Sequence, residues 1–250
     1  MRNNRLLPLA LVALLTGCAS DGSFDTGSAL ALGATVFQAT TLDADSVRET
    51  ATLAARQLDS QSKLAAANSA YSQRLQGIVR GLERLDGLNF NYRVYLAEDI
   101  NAFAMADGTV RVHSALLDAM PDDQALAVIA HEIGHVKLKH SYRQMRETLL
   151  TNALFQGAVA VGGTIGSLTS SQLGSLAHSA VTARFSQADE LEADEFAVQL
   201  LQRQGKDPQA MKRSIETLRD KYGNGGGFLS SHPSNDQRIA RIEEAISRLR

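Results

Sequence analysis

The sequence predicts a mainly α protein with a small β-sheet, an α+β fold, and three observations carry that reading. Aromatic residues make up only 5% of the chain, with no Trp, while Ala, Leu, Gln and Ser are abundant, a composition that favours helices. Apolar residues recur at spacings of three and four over long stretches. Alternation of apolar and polar residues, the signature of half-buried strands, is confined to residues 90–114. Hydrophobic residues are 44% and charged residues 21% of 250, enough for one sizeable core or two small ones. A net charge of −2 without a basic stripe interleaved with aromatics argues against nucleic acid as a partner.

The first segment, "MRNNRLLPLALVALLTGC", places Arg2 and Arg5 before an apolar run from Leu6 to Leu15 and then small residues. This is the layout of a secretory signal peptide, and the run is too short for a permanent membrane span. "LTGC" resembles a bacterial lipobox, in which cleavage leaves Cys18 N-terminal and lipid-modified; Cys18 is the only cysteine. An exported protein usually employs cysteines in pairs, so a lone one at the signal boundary fits lipidation. Acyl chains on that sulfur hold a protein on a membrane, each buried methylene contributing about 0.8 kcal/mol. Ala19, a non-aspartate after the cysteine, points to the outer membrane. The expected organisation is a lipoprotein signal peptide over 1–17, a lipid-anchored tether over 18–44 rich in Ser, Gly, Asp, Ala and Thr, and a folded domain over 45–250, on the periplasmic face.

Within that domain, helical periodicity runs from Asp45 to Leu85, with Tyr71, Leu75, Ile78, Val79, Leu82 and Leu85 as its apolar stripe. "NFNYRVYLA" alternates as a strand. "NAFAM" and "TVRVHS" flank Asp107-Gly108, which signals a hairpin closed by a tight primed turn. A helix is expected from Asp122 to Met145, opened by Pro121 with Asp122 and Asp123 at the positive end of its dipole. Thr148 to Ala183 holds no charged residue. Its Asn152, Gln156 and glycines make it less apolar than a spanning helix, so a movable helical hairpin over the active site or at a subunit contact is preferred to a membrane-embedded segment at 149–168. A helix from Ser186 to Gln204 stops at Gly205 and Pro208. "GNGGG" lacks the Lys-Ser or Lys-Thr of a phosphate loop, and an amphipathic helix from Asn235 to Leu249 ends the chain.

The chemistry sits in "AVIAHEIGHVKLKH". Four residues rotate a helix by about 400°, so His131 and His135 share a face, and both imidazoles can reach one metal ion. Glu132, about 100° round, can address water near that ion. This H-E-x-x-H arrangement is that of zinc peptidases, in which neutral imidazoles suit Zn²⁺ and the glutamate is the base toward water acidified to a pKa of about 7. Unpaired histidines among Ala127, Val128, Ile129, Ala130 and Ile133 would be costly. Gly134 costs about 1 kcal/mol relative to Ala in a helix, which suggests a close neighbour there. A third ligand is needed. His140, about 900° from His131 on one continuous helix, points away, and position 141, where a longer histidine motif would continue, is Ser141. "FSQADELEADEFA" supplies Glu190 and Asp194 on one face, with Glu192 turned about 200° from Glu190. Glu190 would bind the metal and Asp194 would accept a hydrogen bond from a ligand histidine.

"HEIGH", "SQADELEADEFA" and "SHPSNDQRI" together resemble metallopeptidase family 48, from about Asp45 to the C-terminus. The resemblance implies a gluzincin-like zinc peptidase domain, one Zn²⁺ per chain, His131, His135 and Glu190 as ligands, Glu132 as catalytic base and Asp194 behind a ligand histidine. It implies that His232 either stabilises the transition-state oxyanion or occupies the open metal position at rest. The usual Ser-Arg before the glutamate helix is Ser186-Gln187 here, which leaves an arginine role open. The hairpin, at Ala102, Phe103 and Ala104 within the segment to Ala106, is expected to offer an edge to which an extended substrate adds by main-chain hydrogen bonds. The expected function is a zinc-dependent endopeptidase of unfolded or misassembled envelope proteins at the outer membrane, in contact with outer-membrane assembly machinery. The alternative is a chaperone-like or scaffold lipoprotein with little hydrolysis.

Overall fold

The computed structural model describes residues 43–156, 168–223, 227–233 and 236–249. The expected signal peptide, Cys18, nearly all of the tether, the centre of the uncharged segment and residues 224–226 lie outside the described residues.

Helix α1, Ala44–Gln61, is capped by the Asp43 carboxylate, which accepts the Ser46 N–H at 2.7 Å, and it buries Val47, Ala51, Ala54 and Ala55. The chain then opens, bridges Leu64 to Tyr95, and re-enters α2, Ala70–Ile78, under the Ser69 cap. The helical pattern expected from Asp45 to Leu85 is therefore two helices followed by a small hairpin, β1 (Arg84–Leu85) and β2 (Leu88–Asn89). The helix stops at its Val79 cap, just before Gly81 at φ 84°, and Asp86 and Gly87, at φ of 47° and 82°, make the two-residue primed turn of the hairpin.

Strands β3 (Asn91–Tyr95), β4 (Ala102–Ala104) and β5 (Thr109–His113) form a sheet of order β3-β5-β4. β3 runs parallel to β5 and β4 antiparallel to it. The Asp107-Gly108 hairpin exists, but its turn is wider than expected. Gly108 N–H donates to Met105 O at 3.0 Å and Met105 N–H to Thr109 O at 2.9 Å, and only Gly108, not Asp107, has positive φ. Asp107 instead accepts the Thr109 N–H through Oδ1 at 3.0 Å, so a side chain supplies what the primed turn would have supplied.

Helices α3 (Ser114–Ala119), α4 (Asp122–Lys137), α5 (His140–Gln156), α6 (Ser170–Val181), α7 (Gln187–Arg203) and α8 (Gln209–Tyr222) follow. A 3-10 turn, Gly227–Ser230, and α9, Asp236–Ser247, complete the described residues. The helix expected from Asp122 to Met145 is broken: Leu138 N–H closes α4 on Gly134 O at 2.9 Å, and Lys139 at φ 63° turns the chain into α5.

α4 is the axis of the fold, buried from Ala125 to Val136. One face of the sheet, with Ala102, Ala104, Val110 and Val112, joins it in the main core, while Tyr95 and Phe103 on the other face pack with Val47, Ala51, Leu176 and Ala177. α7 crosses α4 at Gly134, where a Cβ would stand 3.2 Å from Ala193 Cα and O and from Phe196 Cδ1. The close neighbour expected from that glycine is α7, the helix that carries Glu190 and Asp194. Among the described residues no helix is long and apolar enough to cross a membrane.

Candidate active site

The α4 periodicity and the α7 approach bring His131, His135, Glu190 and His232 together as a buried group, their ligand-capable atoms all within 4.8 Å of one another. His131 Nε2 and His135 Nε2 are 3.0 Å apart. Glu190 reaches them from α7, Oε2 at 3.5 Å from His131 Nε2 and Oε1 at 3.4 Å from His135 Nε2. His232 arrives from the turn after Gly227–Ser230, with Nδ1 3.0 Å from Glu190 Oε1 and Nε2 3.3 Å from Glu132 Oε1. Glu132, itself buried, thereby joins the same cluster.

Electrostatics at this cluster follow from burial and partners. Burial pushes the Glu132 carboxyl above the ordinary range, outweighing the charges of His232 and His131 and the Ala104 backbone hydrogen bond. Burial likewise holds His135 well below its usual value, against the pull of Glu190, so its imidazole is neutral as a metal ligand must be. Burial would raise Asp194, but the Arg238 guanidinium and His131 hold it below the usual carboxylate range.

The donor set fits a metal ion. Zn–N bonds of about 2.0–2.1 Å place two tetrahedral ligands about 3.3 Å apart, close to the separations of the two Nε2 atoms and the Glu190 oxygens. Two buried oxygens, Glu132 Oε1 and Glu190 Oε2, have no hydrogen-bond partner. Glu190 Oε2 does have Arg238 Nη1 at 2.8 Å, a charge contact without hydrogen-bond alignment. Buried polar atoms left this way are costly unless something else satisfies them, and a cation between His131, His135 and Glu190 would satisfy Glu190.

Behind the cluster, His131 Nδ1 meets Asp194 Oδ1 at 2.8 Å, the partnership expected of Asp194. Arg238 completes it with two 2.7 Å bonds to the carboxylate, from Nε to Oδ2 and from Nη2 to Oδ1. The sequence reading missed Arg238; its signal was an arginine at the start of an apolar stripe continued by Ile242 and Ala245 in α9. It also missed two aromatic walls, Phe185 stacked on His135 at 3.8 Å and Phe228 stacked on His232 at 4.3 Å. His140 is corrected: the break at Lys139 turns it back, so that its Nδ1 lies 3.0 Å from His135 Nδ1 instead of on the far side. Glu192, turned away from Glu190 as expected, pairs with His140 at 3.2 Å. Gln187, at the usual arginine position, bonds Gln237 at 2.7 Å.

β4 is an edge strand by order, yet Ala102, Phe103 and Ala104 are buried. Since His113 N–H bonds Asn101 O and Met105 N–H bonds Thr109 O, the odd-numbered residues face β5, and the main chain of Ala102 and Ala104 faces outward. Two of those outward groups have side-chain partners: Asn101 Oδ1 takes the Ala102 N–H at 2.9 Å, and Ser141 Oγ donates to Ala104 O at 3.1 Å.

A buried helix carrying H-E-x-x-H, joined by a glutamate and an aspartate from a second helix, defines a metallopeptidase. Comparison with known proteins agrees and narrows it: the Peptidase family M48 model matches residues 65–246. The chain is 38% identical over 244 residues to the metalloprotease LoiP of Escherichia coli, covering 97% of this chain and 96% of that one. It is 36% identical over 252 residues to the metalloprotease YcaL of the same organism, with 99% of each covered. A beta-barrel assembly-enhancing protease of Escherichia coli is 34% identical over 172 residues, 64% of this chain and 35% of that one. The chain belongs to peptidase family M48 and is a metalloendopeptidase.

Proposed function

We propose that this metallopeptidase is a zinc enzyme that cleaves unfolded or misassembled proteins of the cell envelope, tethered by lipid on Cys18 to the periplasmic face of the outer membrane. The observation that carries the catalytic part is the buried convergence of His131, His135 and Glu190 beside a Glu132 oxygen that lacks a hydrogen bond.

His131 Nε2, His135 Nε2 and a Glu190 oxygen would hold the ion. When bound, zinc supplies Lewis-acid chemistry that acidifies water and polarises a carbonyl. The residues of the chain do the rest. Glu132 Oε1 takes the proton of the attacking water and passes it to the leaving amine, a role suited to a carboxyl raised by burial. Asp194, held by Arg238, fixes the His131 ring. His232, stacked on Phe228 with Nε2 beside Glu132, donates to the oxyanion as it develops.

An extended substrate would lie along β4, its main chain taking the place of the Ser141 and Asn101 side chains at Ala104 and Ala102. Main-chain pairing of this kind asks little of substrate side chains, which suits a protease of unfolded chains. The relative named a beta-barrel assembly-enhancing protease favours this setting, and outer-membrane assembly machinery is the partner this reading favours. The chaperone or scaffold reading is weaker, because a buried carboxylate with an unbonded oxygen is a cost that passive binding does not require.

The test is cleavage of an unfolded protein such as casein by the purified full-length chain and by Glu132→Gln. Zinc retained with a fall in rate of about 10²–10⁴ supports the reading; undiminished cleavage by the pure variant rejects the role of Glu132.

A further inference from the structure

The two histidines of the motif are oriented by different chemistry, and one of the two supports is not a carboxylate. His131 Nδ1 meets Asp194 directly. His135 Nδ1 meets another imidazole, His140 Nδ1, at 3.0 Å, and His140 in turn has Glu192 Oε2 at 3.2 Å and Asp189 Oδ1 at 3.4 Å from its Nε2. His135 and His140 are fully buried side chains, whereas Glu192 is 62% exposed. A chain of contacts therefore runs from the centre of the site to the surface.

Proton bookkeeping along this chain leaves one arrangement. With Nε2 of His135 directed at the ion, its hydrogen is on Nδ1, which donates. His140 Nδ1 must then accept, so the His140 hydrogen is on Nε2, where the Glu192 carboxylate receives it at 3.2 Å. The backbone supports the same reading: Lys139 at φ 63° is a left-handed non-glycine residue, and it is this turn that brings His140 onto His135. Phe185, stacked on His135 and 6.3 Å from the His140 ring, closes the pair from one side.

We propose, on the reading that His131, His135 and Glu190 bind zinc, that His140 is a positioning residue that holds the tautomer and ring plane of His135, with Glu192 fixing His140 in turn. The competing use of these atoms is a second metal site of His140, Asp189 and Glu192, whose ligand-capable atoms lie within 4.8 Å of one another. Asp189 argues against it. Its Oδ2 is committed to the α7 capping box with Ser186, and its Oδ1 to Arg143 at 2.5 Å, a cation already in place.

The experiment measures zinc affinity of the full-length chain by competition with a chelator of known affinity, together with the visible spectrum of the cobalt-substituted protein. His140→Leu is expected to weaken zinc binding about 10–100-fold and to alter the cobalt bands. His140→Asn, whose side-chain oxygen still accepts from His135 Nδ1, is expected to recover most of that loss. Glu192→Gln, at an exposed position, tests the far end without burdening the core and is expected to cause a smaller weakening in the same direction. Parent affinity and an unchanged cobalt spectrum in all three variants would overturn the proposal. So would two zinc ions per parent chain reduced to one by Glu192→Gln, since His140 Nε2 would then be a ligand. A parent chain that is folded and binds no zinc would reject the underlying site itself, a result distinct from either.

Discussion

Arg238 and Asp194 form a fully buried, two-pronged pair, with both bonds at 2.7 Å, and Asp194 Oδ1 at the same time receives His131 Nδ1 at 2.8 Å. The guanidinium also reaches the carbonyls of His232 and Pro233. One side chain of α9 thus fixes His131 through Asp194 and anchors the segment that delivers His232.

Removing that guanidinium leaves a buried carboxylate without its counter-charge. Arg238→Met is expected to destabilise the protein by about 3–5 kcal/mol, read by chemical denaturation. Weakened zinc binding should accompany the loss, because the His131 ring is no longer held. A variant with parent stability would show that Asp194 is supported by something other than Arg238.

The turn at Gly108 has no room for a side chain. A Cβ there would lie 2.1 Å from Asn89 O, at a φ of +89°. Gly108→Ala is expected to cost at least about 2 kcal/mol, from left-handed strain and from displacing β2. Thermal unfolding that matches the parent would contradict this. Because β4 leads into this turn from the site, peptidase activity should fall with stability.

Much of the site was legible in the sequence, and what was not has physical causes. His131, Glu132 and His135 could be placed because an unbroken apolar run fixed the phase of α4, and Glu190 and Asp194 because they share one face of a capped helix. The break after α4 was invisible, since neither Leu138 nor Lys139 is a residue that marks turns, and His140 was therefore projected onto the wrong side. Arg238 looked like any charge on an amphipathic helix, because its carboxylate partner lies 44 residues earlier, on another helix. The parallel pairing of β3 with β5 was equally hidden, as register between distant strands is decided by what covers the sheet.

Acid should loosen the sheet at Asp59. Burial would raise this carboxyl, but Arg111, bonded at 2.8 Å to Oδ1 and 2.9 Å to Oδ2, together with the Tyr95 hydroxyl and the charge of Arg93, holds it below its ordinary value. A depressed folded-state pKa means that the stabilisation is fully present above the unfolded value of about 3.9 and is lost as pH falls through the lower folded value. Asp59→Asn is expected to be less stable near neutrality and to lose less stability than the parent across that acidic window. Parallel stability curves for the two proteins would exclude the contribution.

His232 separates two resting states of the site. As an oxyanion donor, its replacement in His232→Phe should lower kcat by about 10²–10³ with zinc retained. Faster cleavage by that variant would instead identify His232 as a cover over the open metal position.

The most direct test of the account is elemental analysis of the pure, folded full-length chain beside Glu190→Gln and Glu192→Gln. One zinc per chain is expected in the parent and in Glu192→Gln, with a marked loss in Glu190→Gln. A folded parent without metal, or a loss confined to Glu192→Gln, would contradict a centre built from His131, His135 and Glu190.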